Sequence, residues 1–131
     1  MGPAVNLSAS HTEIAAQAPL LRVFPQEARD RLLERFREQS FAFGDVIVRE
    51  GEEATAYYLV LGGRARVFRM GRDGRETPLN LLGPGDEFGE MALREGGPRS
   101  ASVRCTGDVT VLLLERDDFH HFFDTYPEFR R

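Results

Sequence analysis

From Phe41 to Glu115 the chain never holds one hydrophobic period for long before a glycine breaks it. The β-type runs are Phe41–Phe43, Val46–Arg49, Tyr57–Leu61, Ala65–Met70, Glu76–Leu82, Ser100–Thr106 and Val109–Glu115. Between them lie Gly44-Asp45, Gly51-Glu52, Gly62-Gly63, Gly71 to Gly74, Gly83 to Asp86 and Gly107-Asp108. Runs this short cannot present a helical face to a core, whereas a strand needs only about four to eight residues. Turn signals recurring every roughly 8–12 residues favour an antiparallel sandwich or closed barrel. Asp73-Gly74, set between two strand patterns, is the strongest hairpin signal.

Helical periods flank this region. Ser10 and Glu13 have the spacing of a capping box, Ile14, Ala15 and Ala18 follow, and Pro19 is expected to stop the turn. Pro25 suits the first position of a second helix, in which Ala28, Leu32 and Phe36 recur at i, i+4 and i+8 and Leu33 widens the stripe. After Glu115, Asp117 or Asp118 is expected to cap a last helix striped by Phe119, Phe122, Phe123 and Tyr126. The expected fold is α+β: an antiparallel β-roll or jelly-roll barrel of about eight strands, flanked by N-terminal helices and a C-terminal helix. Residues 1–24 form an N-terminal helical segment, and residues 25–131 the principal domain.

With 131 residues, one core is the expectation. No run of about 18 apolar residues occurs, and "MGPAVNLSAS" has neither the basic nor the apolar region of a secretory signal. Its sixth residue is not the small hydroxyl a myristoylation signal wants. A single cysteine, Cys105, excludes an internal disulfide and a multi-cysteine zinc site, and its alternating apolar setting marks it as a buried spectator. A net charge of −4 argues against a general nucleic-acid binder, because counterion release needs a basic surface. These features suggest a reduced, cytoplasmic domain that does not insert in membranes.

One stretch carries chemistry: "FGEMALREGGPRSAS", residues 88–102. Gly89 has no Cβ, so a ligand can approach its backbone closely. Glu90 through Leu93 can form a helical turn whose free amides attract phosphate. Arg99 adds a planar fork that matches two phosphate oxygens, Ser100 a hydroxyl, and Ala101 room, while Pro98 stiffens the approach. Glu90 would repel a bare anion, but it suits a ligand with a hydroxyl beside its phosphate. A carboxylate accepting a sugar hydroxyl contributes roughly 1.5–3 kcal/mol. The ligand so described is a singly charged phosphodiester attached to a sugar. The plainer reading is an acid and a base in a glycine-rich surface loop.

This stretch resembles the phosphate-binding cassette of the cyclic nucleotide-binding domain family, matching at Phe88, Gly89, Glu90, Ala92, Leu93, Arg99, Ala101 and Val103. The similarity runs from about Leu20 to Phe129 and takes in "FGDVIVREGEEATAYYLVLGGRARVF" and "LLGPGDEFGE". The separation of Glu90 and Arg99, with Gly-Gly-Pro between them, looks nearer to eukaryotic kinase and channel members than to bacterial regulators. The resemblance implies that Arg99 neutralises a cyclic phosphate, and that Glu90 and the Gly89 amide hold the ribose 2′-hydroxyl. Amides near Ala92 and Ser100–Ala101 would contact phosphate oxygens. Val103 and Val67 would pack on the purine, and Phe88 and Met91 complete the ligand-binding set. Ser100 stands where relatives use alanine or a threonine that favours cyclic GMP, so cyclic AMP and cyclic GMP both stay open, with cyclic AMP favoured.

In the family a further helix swings over the purine as a lid. Here it would begin near Glu128 and stop at Arg131, so the expectation is either a piece of a longer protein or an open lid. The implied function is a ligand-sensing module for an attached effector domain absent from this chain. Ligand-driven tightening of the cassette would shift Leu93 and let the Phe119–Phe123 helix repack. The alternative is a similar barrel without ligand binding, acting as an interaction module; intact Glu90 and Arg99 count against it. No helix–turn–helix follows, so no nucleic-acid partner is expected. An enzyme is not expected either: no histidine lies between Thr12 and Phe119 to ligate metal inside a barrel, and no nucleophile motif or Walker loop occurs. His120-His121, beside Asp117, Asp118 and Asp124, suits a solvated helix face better than a metal site.

Overall fold

The computed structural model describes residues 9–126. It opens with helices α1 (Ala9–Gln17), α2 (Pro19–Arg22) and α3 (Gln26–Arg35). The strands are β1 (Arg37–Phe41), β2 (Val46–Val48), β3 (Ala56–Gly62), β4 (Ala65–Met70), β5 (Glu76–Leu82), β6 (Glu87–Phe88), β7 (Ser102–Cys105) and β8 (Val109–Glu115). Helix α4 (Glu90–Glu95) lies between β6 and β7, and α5 (Arg116–Thr125) follows β8. The strands form two four-stranded antiparallel sheets, ordered β1-β8-β3-β6 and β2-β7-β4-β5, in a jelly-roll-like sandwich. No helix among the described residues is long and apolar enough to cross a membrane.

Alternation along β3 and β8 builds two cores. Tyr57, Leu59 and Leu61, with Leu112 and Leu114, pack beneath the helices against Leu20, Leu21, Phe24, Phe36, Phe119, Phe122 and Phe123. Ala56, Tyr58 and Val60, with Val109, Val111 and Leu113, face the second sheet and meet Ala65, Leu82, Val103 and Cys105. Each such large side chain contributes about 1.5–3 kcal/mol on burial. Cys105 is buried in the inner core, which pushes its thiol pKa up. The outer core also takes in Ala15 and Ala18, so the N-terminal helices share one apolar layer with α5.

The expected hairpin is present. Met70 pairs with Glu76, and the loop closes with Gly71 N–H donating to Arg75 O at 2.7 Å. Elsewhere the boundaries move. The run Phe41–Phe43 is not the first strand: β1 ends at Phe41, and residues 42–45 turn, with Ala42 N–H donating to Asp45 Oδ2 at 2.8 Å. Four of the five β1 side chains are exposed, so pairing with β8, rather than an apolar pattern, defines this strand. Pro19 starts α2 instead of only ending α1, because its fixed φ suits a first helical position. Pro25 sits one residue ahead of α3, and Ser10 lies inside α1. Helix α5 begins at Arg116, which places Asp117 and Asp118 in its first turn, where they face the positive end of the helix dipole. The two-residue β6 carries no periodicity that a sequence reading can detect. The lid expected near Glu128 lies outside the described residues.

Candidate functional site

Helix α4 starts where Gly89 turns the chain. Gly89 has φ +90° and ψ −4°, a left-handed conformation that an L side chain adopts only with strain. A Cβ there would stand 2.5 Å from Arg99 Nη1 and 3.0 Å from the Ala56 carbonyl oxygen. The glycine therefore serves two local needs, the bend and the space for a guanidinium beneath it.

Arg99 fills that space and is only 5% exposed. Its Nη1 donates to Gly89 O at 2.9 Å and its Nη2 to Ala56 O at 2.6 Å. Its guanidinium carbon sits 5.9 Å from the centre of the Tyr58 ring, which stacks on Phe88 at 4.8 Å. The Arg99 backbone is tied at both ends: its N–H donates to Glu52 O at 2.8 Å, and its carbonyl accepts from Gly51 N–H at 2.9 Å. Burial lowers the Arg99 pKa, yet a guanidinium stays charged in proteins. Among the described residues no carboxylate lies within ion-pair distance of it. A buried cation held only by neutral carbonyls leaves favourable electrostatics for an incoming anion.

Beside Arg99 opens a cavity of about 290 Å³. The structure gathers all ten candidate residues around it: Val67, Phe88, Gly89, Glu90, Met91, Ala92, Arg99, Ser100, Ala101 and Val103. Val48 and Glu87 line it too, and sequence reasoning missed both. Val103 of β7 is the register partner of Val48 on β2 and of Val67 on β4. Three valines thus lie side by side across three strands, an apolar platform whose first member only the register reveals. Glu87 directly precedes Phe88, so contiguity with the cassette was its one signal.

The two cavity carboxylates are differently engaged. Glu87 Oε2 accepts from the Tyr57 hydroxyl and from Leu20 N–H at 3.3 Å. Burial, then the Glu87 charge, hold the Tyr57 pKa well above the ordinary phenol value. Glu90 Oε1 accepts from Arg94 Nη1 at 3.1 Å. Burial also raises the Tyr58 pKa, against the lowering effect of Arg99. At the rim Met91 is 66% exposed, and the Ser100 carbonyl accepts from Arg69 Nε at 2.9 Å.

On the far side of α4, Leu93 is buried in the outer core, and its carbonyl lies 2.9 Å from His120 Nε2 of α5. The cassette turn and α5 are thereby joined by apolar packing and by a polar contact. His120 and His121 belong to no cluster of three or more metal-ligating side chains among the described residues.

The family model for the cyclic nucleotide-binding domain matches residues 38–126. The "Cyclic AMP receptor protein" of Thermus thermophilus is 39% identical over 102 residues, covering 78% of this chain and 47% of that protein. A "cAMP-dependent protein kinase regulatory subunit" of Emericella nidulans is 36% identical over 103 residues, covering 79% of this chain and 24% of that protein. The regulatory domain of Toxoplasma gondii PKA, solved with cAMP, superposes with a TM-score of 0.79 at 28% identity, covering 86% of this chain and 44% of that one. The chain thus spans half or less of the length of these relatives. They include a bacterial receptor and a eukaryotic kinase subunit, so similarity does not single out the kinase and channel side suggested by the Glu90–Arg99 spacing.

Proposed function

The chain belongs to the cyclic nucleotide-binding domain family, and from that premise we propose that its cavity binds a cyclic purine nucleotide, cyclic AMP in preference to cyclic GMP. The observation that carries this reading is Arg99, a buried cation whose partners are two neutral carbonyls. A cyclic phosphodiester bears one negative charge and presents two free oxygens, which suits a planar fork. In the nucleotide complex Arg99 neutralises the phosphate, and amides near Ala92 and Ser100–Ala101 contact its oxygens. Glu90 accepts a hydrogen bond from the ribose 2′-hydroxyl, and the Gly89 amide donates to the same hydroxyl oxygen. The Val48–Val103–Val67 row lies under the purine, with Phe88 and Met91 beside it. Ser100 leaves both bases open, and the base preference leans to adenine because the names of the matched relatives specify cAMP.

The chain acts as a regulatory module and not as an enzyme. Residues 1–24 serve as a helical segment on a nucleotide domain formed by residues 25–131, and the signal passes to an attached domain. The route begins at Leu93: when the cassette tightens on the ligand, Leu93 moves against Phe119 and Phe123 and α5 repacks. Such a switch shifts an equilibrium only by the ligand's differential affinity for its two states. In this reading the module contacts no nucleic acid, does not itself insert in membranes, and works in the cytoplasm.

Isothermal titration with cyclic AMP and with cyclic GMP, using Arg99→Ala as the comparison, tests the proposal. Binding at micromolar or tighter affinity is expected, and Arg99→Ala weakens it by about 3–5 kcal/mol because a buried anion loses its partner. Silence of the folded wild-type chain with both nucleotides refutes the reading and favours the interaction-module alternative.

A further inference from the structure

We propose that Arg94 is a positioning residue for the sugar, holding Glu90 in the orientation that accepts the ribose 2′-hydroxyl; the inference rests on the reading of Glu90 as the ribose contact. Arg94 does not line the cavity, so it acts through Glu90. The two residues lie four apart on α4, with the glutamate on the N-terminal side, the spacing and order that bring such a pair together on a helix. Arg94 Nη1 stands 3.1 Å from the half-buried Glu90 Oε1, and Arg94 itself lies at the surface.

A solvated pair at this spacing holds its members loosely. This one is fixed from a second direction. The Arg94 guanidinium lies over the Phe123 ring of α5, 5.1 Å from its centre. Phe123 is 5% exposed and stacks on Phe119 at 4.6 Å. The arginine is thus set between a carboxylate and a buried ring that cannot turn away. A free glutamate would sample several rotamers, and a hydroxyl would have to select one of them. With Oε1 committed to Arg94, the carboxylate plane is set and Oε2 keeps its lone pairs for a donor. Arg94 also offsets the charge that Glu90 would otherwise bring beside an anionic ligand. The other cavity carboxylate, Glu87, is turned to the helical layer, where its Oε2 accepts from Tyr57 and Leu20.

The test uses two probes, cyclic AMP and 2′-deoxy cyclic AMP, titrated into the whole chain. The variants are Arg94→Met, which keeps the apolar stem and removes the fork, Arg94→Lys, and Phe123→Leu. Arg94→Met is expected to weaken cyclic AMP by about five-fold while leaving the deoxy nucleotide within about two-fold of wild type. Arg94→Lys retains most of the preference, and Phe123→Leu falls between. If Arg94→Met fails to fold in a thermal melt, the partial loss of preference in Phe123→Leu carries the test. Equal losses for both nucleotides mean that Arg94 contributes only charge or fold, and overturn the proposal, as does an unchanged ratio in every variant. A wild-type chain that binds neither probe refutes the nucleotide reading itself. One that binds both equally removes the role of Glu90, and the inference falls with it.

Discussion

Replacing Gly89 with alanine probes the one point where backbone, cation and cavity meet. Two costs follow from the geometry. The first is strain: a φ of +90° costs a non-glycine residue about 1–3 kcal/mol. The second is specific to this position. The new Cβ would lie 2.5 Å from Arg99 Nη1 and 3.0 Å from Ala56 O, and the Ala56 oxygen belongs to the backbone of β3 and cannot withdraw. The guanidinium has to move, which disrupts its bonds to Gly89 O and Ala56 O. Hydrogen bonds to a charged group contribute about 1.5–3 kcal/mol each, part of which returns if the displaced fork reaches water.

Gly89→Ala should therefore lower stability by roughly 3–5 kcal/mol. Gly85 supplies the control. Its φ is +93°, but an added Cβ meets nothing within 4 Å, so Gly85→Ala should show strain alone, about 1–3 kcal/mol. Urea unfolding of both variants gives the difference in stability, and titration with cyclic AMP gives the functional half. Gly89→Ala loses at least about tenfold in affinity, because each 1.4 kcal/mol of displaced phosphate contact is a factor of ten, whereas Gly85→Ala binds as wild type. Equal stability losses and equal affinities in the two variants would refute the argument that Gly89 exists to admit Arg99.

Two further outcomes follow from the packing. Tyr57 keeps its proton more tightly folded than unfolded, so its stabilising share is complete below the unfolded pKa and is lost as pH rises through the folded one. Above pH about 10 the unfolding free energy should fall by up to about 1.4 kcal/mol per pH unit from this group. Tyr57→Phe should remove that slope and cost about 1–2 kcal/mol at neutral pH, since Glu87 loses a donor, and urea unfolding across the alkaline range checks both. Phe119→Ala should destabilise by about 3–5 kcal/mol in thermal or urea unfolding, because the ring is 1% exposed between Tyr57 and Phe123.

What sequence could and could not reveal divides along a physical line. Gly89, Glu90, Arg99, Ser100 and Ala101 were legible because each advertises a distinct chemistry within one short stretch, whereas Val67 and Val103 entered only through the resemblance to the family. Val48 was not legible, since it joins the cavity only through its register with Val103, and register is a property of pairing. The partners of Arg99 were hidden for the same reason: one is a backbone carbonyl 43 residues away, and a carbonyl has no sequence signature. The sandwich was legible from alternation wherever a strand has an inside, as in β3 and β8. It failed at β1, whose polar residues are held by the backbone of β8, and at β6, too short to show a period. Prolines misled in one direction. Pro19 was read as a stop, but the same fixed φ also makes a start.

Strands β3 and β8 send neighbouring residues to opposite cores, so that Tyr57 belongs to the helical layer and Tyr58 to the pocket layer. The sheet is consequently a partition between two compartments that can be adjusted separately. Substitutions at Leu59, Leu112 or Leu114 retune how firmly the helices sit, without touching a residue that lines the cavity. Substitutions at Val60, Val111 or Leu113 act on the inner core that supports Val103, on the other side of the sheet from the helices. The two compartments touch where the wall is breached, at Leu93, at the Glu87–Tyr57 contact and along Glu90, Arg94 and Phe123. Descendants of one such fold can then acquire new ligands or new outputs one at a time.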